Sequence, residues 1–114
     1  MGFTDTAKQT ALDAVAAAAA WITLHTADPG TTGASEVAGG AYTREQTTWA
    51  AFAGGSRVGS QVTFDVPAGV TITHWGIRTA ASGGTFYYGG TLSASETFGA
   101  AGQYLFTPTL TATG

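Results

Sequence analysis

Cysteine is absent from the 114-residue chain. That excludes a disulfide framework, a thiolate nucleophile and any zinc site built on sulfur, so the fold must hold by burial and hydrogen bonding. Charge is scarce as well. Charged residues make up 10% of the chain, against roughly 25% in an average soluble protein. The net charge of −3 arises from 7 acidic and 4 basic residues, and the four cations, Lys8, Arg44, Arg57 and Arg78, are scattered. No basic field forms for a phosphate backbone, so nucleic acid is not an expected partner. Long apolar runs are missing too: the most apolar window, residues 14–24, is far shorter than the roughly 20 residues of a membrane span. No membrane partner is expected, and the acidic start Met1-Gly2-Phe3-Thr4-Asp5 lacks the layout of a secretion signal.

Glycine is abundant, at 17 residues of 114, together with threonine and alanine. A chain of this length forms one compact domain that buries about 65% of its unfolded surface. Residues 1–20 read as an N-terminal helix. Thr4 or Asp5 can cap it, Asp5 complements its dipole, and alanine dominates the remainder of the segment. Leu12, Val15 and Ala19 make a thin apolar stripe. Such a helix either caps its own sheet or docks on a neighbouring subunit through its alanine run, with Ala17 and Ala18 as contact residues.

Residues 21–114 read as a β-sandwich domain. Trp21-Ile22-Thr23-Leu24-His25-Thr26 is β-rich and stops at Ala27-Asp28-Pro29-Gly30, after which residues 31–41 are too small and polar to build a core and read as a long ordered loop. Residues 42–49 alternate as a strand and residues 50–60 read as a second loop. Residues 61–75 predict a hairpin around Pro67-Ala68-Gly69, pairing Val66 with Val70 and Phe64 with Ile72, with Val62, Phe64, Val66, Val70 and Ile72 on one face. A second hairpin turns at Ala81-Ser82-Gly83-Gly84, placing Trp75 opposite Gly90, Ile77 opposite Tyr88 and Thr79 opposite Phe86. Its apolar set, Trp75, Ile77, Phe86, Tyr88 and Leu92, has the other parity, which requires a bulge near residues 74–76, with Gly76 the candidate. Residues 93–102 read as a loop, and residues 103–111 as a last strand interrupted by Pro108 at an edge or bulge. The fold class is mainly β: an antiparallel sandwich or open barrel with one N-terminal helix.

Chemistry-bearing patterns are few. His25 and His74 are the only groups with ordinary pKa values near neutrality, and neither stands in a metal-ligand or base spacing. A set of His25, Asp28 and Glu36 is compatible with a metal by spacing alone, but histidines beside turns usually bond locally; His74 is expected to donate to a backbone carbonyl. There is no nucleophile elbow, and the glycine pairs are not followed by a lysine or a helix as a phosphate loop would be. No catalytic residue, cofactor or metal is assigned, and the chain is expected not to be an enzyme. Trp21, Trp49, Trp75, Tyr87 and Tyr88 could build a sugar-stacking platform, although the core needs most of these rings; Tyr87 is the best exposed contact aromatic.

The string Leu24-His25-Thr26-Ala27-Asp28-Pro29-Gly30, then Gly33, Glu36-Val37, Gly39-Gly40 and Tyr42, resembles a family of small virion proteins of tailed bacteriophages that infect actinobacteria. The run from Val62-Thr63-Phe64-Asp65-Val66-Pro67-Ala68-Gly69 through Thr73-His74-Trp75-Gly76, Gly83-Gly84-Thr85-Phe86 and Glu96-Thr97-Phe98-Gly99 is similar to the same family, so the resemblance spans roughly residues 21–111. Its members are usually labelled tail fibre or minor tail proteins, with capsid decoration as a further expected role. The resemblance brings no catalytic residues, and Arg44-Glu45 and Ile77-Arg78 depart from commoner choices. It implies a structural component of the virion, assembled in the host bacterial cytoplasm, that binds other virion proteins and copies of itself, with Arg44 among the contact residues. The rival reading is a receptor- or glycan-binding module of the adsorption apparatus, with host cell-wall glycan as its partner.

Overall fold

The computed structural model describes residues 4–111. The helix begins as its composition predicts: the Thr4 hydroxyl accepts a hydrogen bond from the Ala7 N–H at 3.1 Å, and α1 runs over Asp5–Ala18 with Asp5 in its first turn. Of the predicted stripe, Leu12 and Ala19 are buried and Val15 packs partly against the core. Eight strands come after it: β1 (Trp21–His25), β2 (Glu45–Gln46), β3 (Ser56–Val58), β4 (Val62–Val66), β5 (Val70–Arg78), β6 (Phe86–Phe98), β7 (Gly102–Phe106) and β8 (Thr109–Thr111). The helix lies on its own domain, against β3 and β8. The Asp13 carboxylate meets the Arg57 guanidinium at 3.0 Å, and the Trp49 indole N–H donates to the Ala19 carbonyl at 2.9 Å.

All pairings are antiparallel. A four-stranded sheet has the order β2-β1-β5-β6, and two strand pairs, β3-β8 and β4-β7, form separate ladders. The core joins Ile22, Leu24, Ile72 and Ile77 of the first sheet to Val62, Phe64 and Val66 of β4 and Leu110 of β8. This is the layered antiparallel arrangement expected of a sandwich, drawn out to 44 Å along its long axis.

The main departure from the predicted strand pairing is at residues 61–75. The alternation is as expected, with Val62, Phe64 and Val66 buried and Thr63 and Asp65 exposed. Yet β4 pairs with β7, Phe64 opposite Tyr104, while β5 pairs with β1 and β6. Pro67-Ala68-Gly69 therefore carries the chain between ladders. Turn chemistry specifies a reversal and leaves the pairing partner open. Two apolar faces gain more by meeting across a core than by lying side by side on one sheet.

The second hairpin keeps its predicted centre, with Trp75 opposite Gly90 and Ile77 opposite Tyr88. The irregularities lie elsewhere than Gly76. One register shift falls between Ile72 and His74, the other between Ile77 and Arg78, so that Phe86 stands opposite Arg78 instead of Thr79. Tyr87 is the extra residue of that second bulge. It turns Phe86 out of the predicted set with Trp75 and Tyr88 and onto the outer face of the sheet. There the Phe86 ring meets His25 edge-on at 6.0 Å between centroids and lies under the Arg78 guanidinium at 5.7 Å. The bare backbones of Gly76 and Gly89 make room for it: a Cβ on Gly76 would stand 2.5 Å from Phe86 Cε1 and 2.8 Å from Thr23 Oγ1. A small second core thus sits beneath the loop after β1.

Three further expectations are corrected. Residues 93–98, predicted as loop, continue β6, pairing Thr71 with Thr97 and Val70 with Phe98. Their small side chains resemble a loop, but the ladder is made by backbone and by the Thr71–Thr97 hydroxyl contact at 2.9 Å. Of the strand expected over 42–49 only Glu45–Gln46 forms a ladder, against Trp21 and Ile22, with Trp49 making a single antiparallel bridge to Gly59. The loop expected over 50–60 contains β3, reached through a tight turn in which Ala53 and Ser56 exchange backbone hydrogen bonds. Pro108 behaves as predicted: it separates β7, paired with β4, from β8, paired with β3.

Phe64 is fully buried at the centre of β4, so Phe64→Ala is expected to cost roughly 3–5 kcal/mol in denaturant unfolding. Gly76→Ala is expected to destabilise by roughly 1–3 kcal/mol through overpacking against Phe86, although alanine is the better backbone former. An unchanged unfolding midpoint in either variant would contradict the packing described.

Candidate functional site

The loop between β1 and β2 is long and glycine-rich, and polar contacts hold it in one shape. The Asp28 carboxylate accepts from the Gly30 N–H at 2.8 Å and closes the turn after β1. Further on, Arg44 grips the Glu36 carboxylate with two hydrogen bonds, from Nε and Nη2, each of 2.9 Å. The Tyr42 hydroxyl donates to the same carboxylate at 2.9 Å and accepts from the Leu24 N–H at 3.1 Å. The remaining Arg44 nitrogen, Nη1, donates to the Ala80 and Gly83 carbonyls of the β5–β6 turn. Burial pushes the Glu36 carboxyl up, but the hydrogen bonds from Arg44 and Tyr42 outweigh it and hold the group below its ordinary value. Burial raises the Tyr42 phenol, and the bond to Glu36 raises the Arg44 guanidinium. Arg44, expected as a contact residue, has a side chain only 11% exposed. Its hydrogen bonds are directed into the fold.

His25 is fully buried. One ring nitrogen, Nδ1, bonds the Ala34 carbonyl at 2.8 Å and the other, Nε2, the Thr23 hydroxyl at 2.7 Å. Burial lowers its pKa, with the Ala34 contact opposing. The Thr23–His25 distance suits a nucleophile and its base, but both residues have zero exposure beneath Phe86, so no substrate reaches them. His25 and Glu36 bond inward, the exposed Asp28 bonds within its own turn, and no group of three or more metal-ligating side chains assembles among the described residues. His74 contacts the Thr73 hydroxyl at 2.7 Å, where a backbone carbonyl was expected.

The five aromatics weighed as one platform are dispersed. Trp21 and Trp49 are half-buried on other parts of the fold, and Tyr87 is 48% exposed. Trp75 and Tyr88 do meet, with ring centroids 5.3 Å apart, and Phe106 joins them at 5.2 Å from Trp75. Phe106 was not legible as a member because it comes from β7, whose place depends on the pairing with β4. Beside these rings a groove of about 430 Å³ opens between β6 and the β7–β8 segment. A second cavity of about 500 Å³ lies at the Pro67 tip, lined by Gly40, Ala41, Ala68 and Ala101 among others.

Charge is largely consumed internally. Arg44 and Arg57 are in ion pairs, and Arg78 donates to the Thr32 and Gly84 carbonyls, so three of the four basic side chains serve the fold. On α1, Ala14, Ala17 and Ala18 are exposed on the side away from Leu12. On the sheets, Tyr87, Leu105 and Val58 are the large apolar side chains that face solvent.

Fold and surface together define a small antiparallel β module with a helical N-terminus and a neutral, hydroxyl-rich exterior. A family model described as Podophage GP4 fiber I protein gp80 matches residues 3–112, and the chain belongs to that family. It is a bacteriophage fibre-type protein and a component of the virion. Comparison with curated proteins finds no match.

The polar lock predicts a defined response to pH. His25 is held neutral, so the unfolded chain takes its proton more readily and stability declines as pH falls below 6.5. Glu36 is held ionised, so its contribution is complete above 4.5 and is lost as pH falls through the lower folded value. The melting temperature is expected to fall in two stages on acidification, with the lower stage missing in Glu36→Gln. Arg44→Ala, which strands the Glu36 carboxylate, is expected to cost roughly 3 kcal/mol in urea unfolding at pH 7.

Proposed function

We propose that the chain is a non-enzymatic structural module of a phage fibre that joins copies of itself and other virion proteins through neutral surfaces. The observation that carries this reading is the inward use of charge. With Arg44, Arg57 and Arg78 bonded within the fold, the exterior is mostly Thr, Ser, Gly and Ala, and covering it desolvates few ions. The outer edge of β6 supports the same reading. That strand ends the four-stranded sheet, nothing among the described residues pairs with its far side, and Glu96 is its only charge. The exposed alanines of α1 offer a second surface, with Ala17 and Ala18 as contact positions and Tyr87 as an aromatic contact on β6. Arg44 contributes indirectly, by holding the loop in shape. The resemblance of the turn motifs to virion proteins of actinobacterial phages is the ground for proposing that host group, with capsid decoration as the variant placement.

Ala17→Glu and Ala18→Glu are expected to reduce incorporation into particles, measured by quantitative mass spectrometry of purified virions, while the isolated protein keeps its melting temperature. Normal incorporation of both variants would remove α1 from the interface. No hydrolysis of host cell-wall polymer is expected from the purified protein, and release of soluble fragments would overturn the non-enzymatic reading.

A further inference from the structure

We infer that copies of the chain join head to tail, the hairpin tip at residues 53–56 of one copy seated in the cavity at the Pro67 tip of the next. This rests on the reading above that the chain joins copies of itself, and it names the two surfaces that meet. Trp49 bridges Gly59, the Ala50 N–H donates to the Val58 carbonyl at 2.7 Å, and Ala53 and Ser56 exchange hydrogen bonds, so residues 49–59 form a hairpin. Its turn is Gly54-Gly55, with φ of 59° and 86°, the left-handed pair of a two-residue type I′ turn. A Cβ on either glycine would meet nothing, so the tip stands clear of its own domain. Residues 50–55 carry no polar side chain, and Ala50, Ala51 and Ala53 are exposed. Surface turns are normally polar, and an exposed apolar run of this kind calls for a covering partner.

The hairpin and the cavity lie at opposite ends of the molecule. The β3–β8 ladder begins at Ser56 opposite Thr111, and the β4–β7 ladder continues in the same sense to Val66 opposite Gly102. The stretch from Ser56 to Val66 spans about 33 Å when extended, a length that matches the 44 Å axis and exceeds the 25 Å and 23 Å cross-section. The hairpin projects beyond the first end, beside α1, to which Arg57 is tied through Asp13. The cavity of about 500 Å³ opens at the other.

Cavity and tip are complementary. Gly40, Ala41, Ala68 and Ala101 give the cavity small walls that let a backbone approach closely, and Asp65 and Gln103 are its polar side chains. The Asp65 carboxylate has one contact among the described residues, a long one of 3.4 Å from the Gln103 amide. It is an acceptor in need of a donor. The Gly54 and Gly55 N–H groups have no acceptor among the described residues, and with no side chains around them they are open to a carboxylate. Because tip and cavity are different surfaces facing opposite ways, every contact leaves one of each free at the ends. The association is therefore an open linear array, with a repeat no longer than the 44 Å axis.

The absence of cysteine makes thiol trapping selective. Ala53→Cys and Ala68→Cys, both at exposed alanines, are placed in one full-length chain and treated with a short thiol-to-thiol cross-linker at high protein concentration. The expected product is a ladder of dimers, trimers and longer chains on a denaturing gel, whereas a mixture of the two single variants gives dimers containing one of each and nothing larger. The pair Ser93→Cys and Ala68→Cys, with Ser93 exposed on β6, is expected to give no ladder. In sedimentation the unaltered protein is expected to gain mass with concentration. Ala101→Arg, which fills the cavity from an exposed position, is expected to raise the concentration required about tenfold without changing the melting temperature. The inference is overturned if the unaltered protein does not self-associate, if the double variant stops at a dimer, if the Ser93→Cys pair links as well, or if Ala101→Arg associates normally. In the last case, loss of Ala101→Arg from virions would assign the cavity to another virion protein. Incorporation of the α1 variants into particles tests the structural reading separately, so either can fail alone.

Discussion

The Glu36 carboxylate is the contact on which the shape of the molecule depends. Through Tyr42 it reaches the backbone of β1, and through Arg44 it reaches the turn between β5 and β6, so one side chain gathers three segments distant in sequence. A loop this rich in glycine and threonine has little apolar surface to bury and would be costly to order. A charge-assisted fork with low exposure supplies directional bonds that such a loop cannot obtain from packing. The loop in turn roofs the outer face of the main sheet, where His25, Phe86 and the bare Gly76 and Gly89 form the second core. Without that roof, β1 could not be buried on both faces, as it is from Ile22 to His25.

The same arrangement shapes the exterior. Guanidinium groups drawn into carbonyl and carboxylate contacts are only partly exposed and already bonded, and a chain already poor in charge offers few free cations outside. For a protein of a phage fibre family, this favours association by close contact over long-range electrostatic attraction. The cost of an open sandwich is an exposed strand edge. The two irregularities in the β5–β6 ladder bend that edge, and the second of them also delivers Phe86 to the outer core. One backbone irregularity therefore contributes both to stability and to the form of the contact surface.

The aromatic groove arises from the crossing at Pro108. A proline that could not donate to a ladder ends β7 and releases the chain toward β3, and the gap left beside Trp75 and Tyr88 is the groove. Its position on the side of the sandwich differs from that of the exposed alanines of α1.

Local chemistry was legible in the sequence wherever a side chain acts on its own backbone or its immediate neighbours. The Thr4 cap, the alternation of Val62, Phe64 and Val66, the indole of Trp75 over Gly90 and the break at Pro108 all stand where the residues placed them, because capping, pleat periodicity and a missing N–H are short-range effects. Which strand pairs with which was decided only in three dimensions. Pro67-Ala68-Gly69 encodes a reversal that serves a hairpin or a change of ladder equally well, and burial across the core selected the change. Residues 93–98 look like loop because small polar side chains carry no strand signal, yet the backbone pairs once Thr71 is alongside. Arg44 illustrates the limit most clearly: a lone cation in a sequence reads as surface, and only the arrival of Glu36, Ala80 and Gly83 around it turns it into the fastening of the fold.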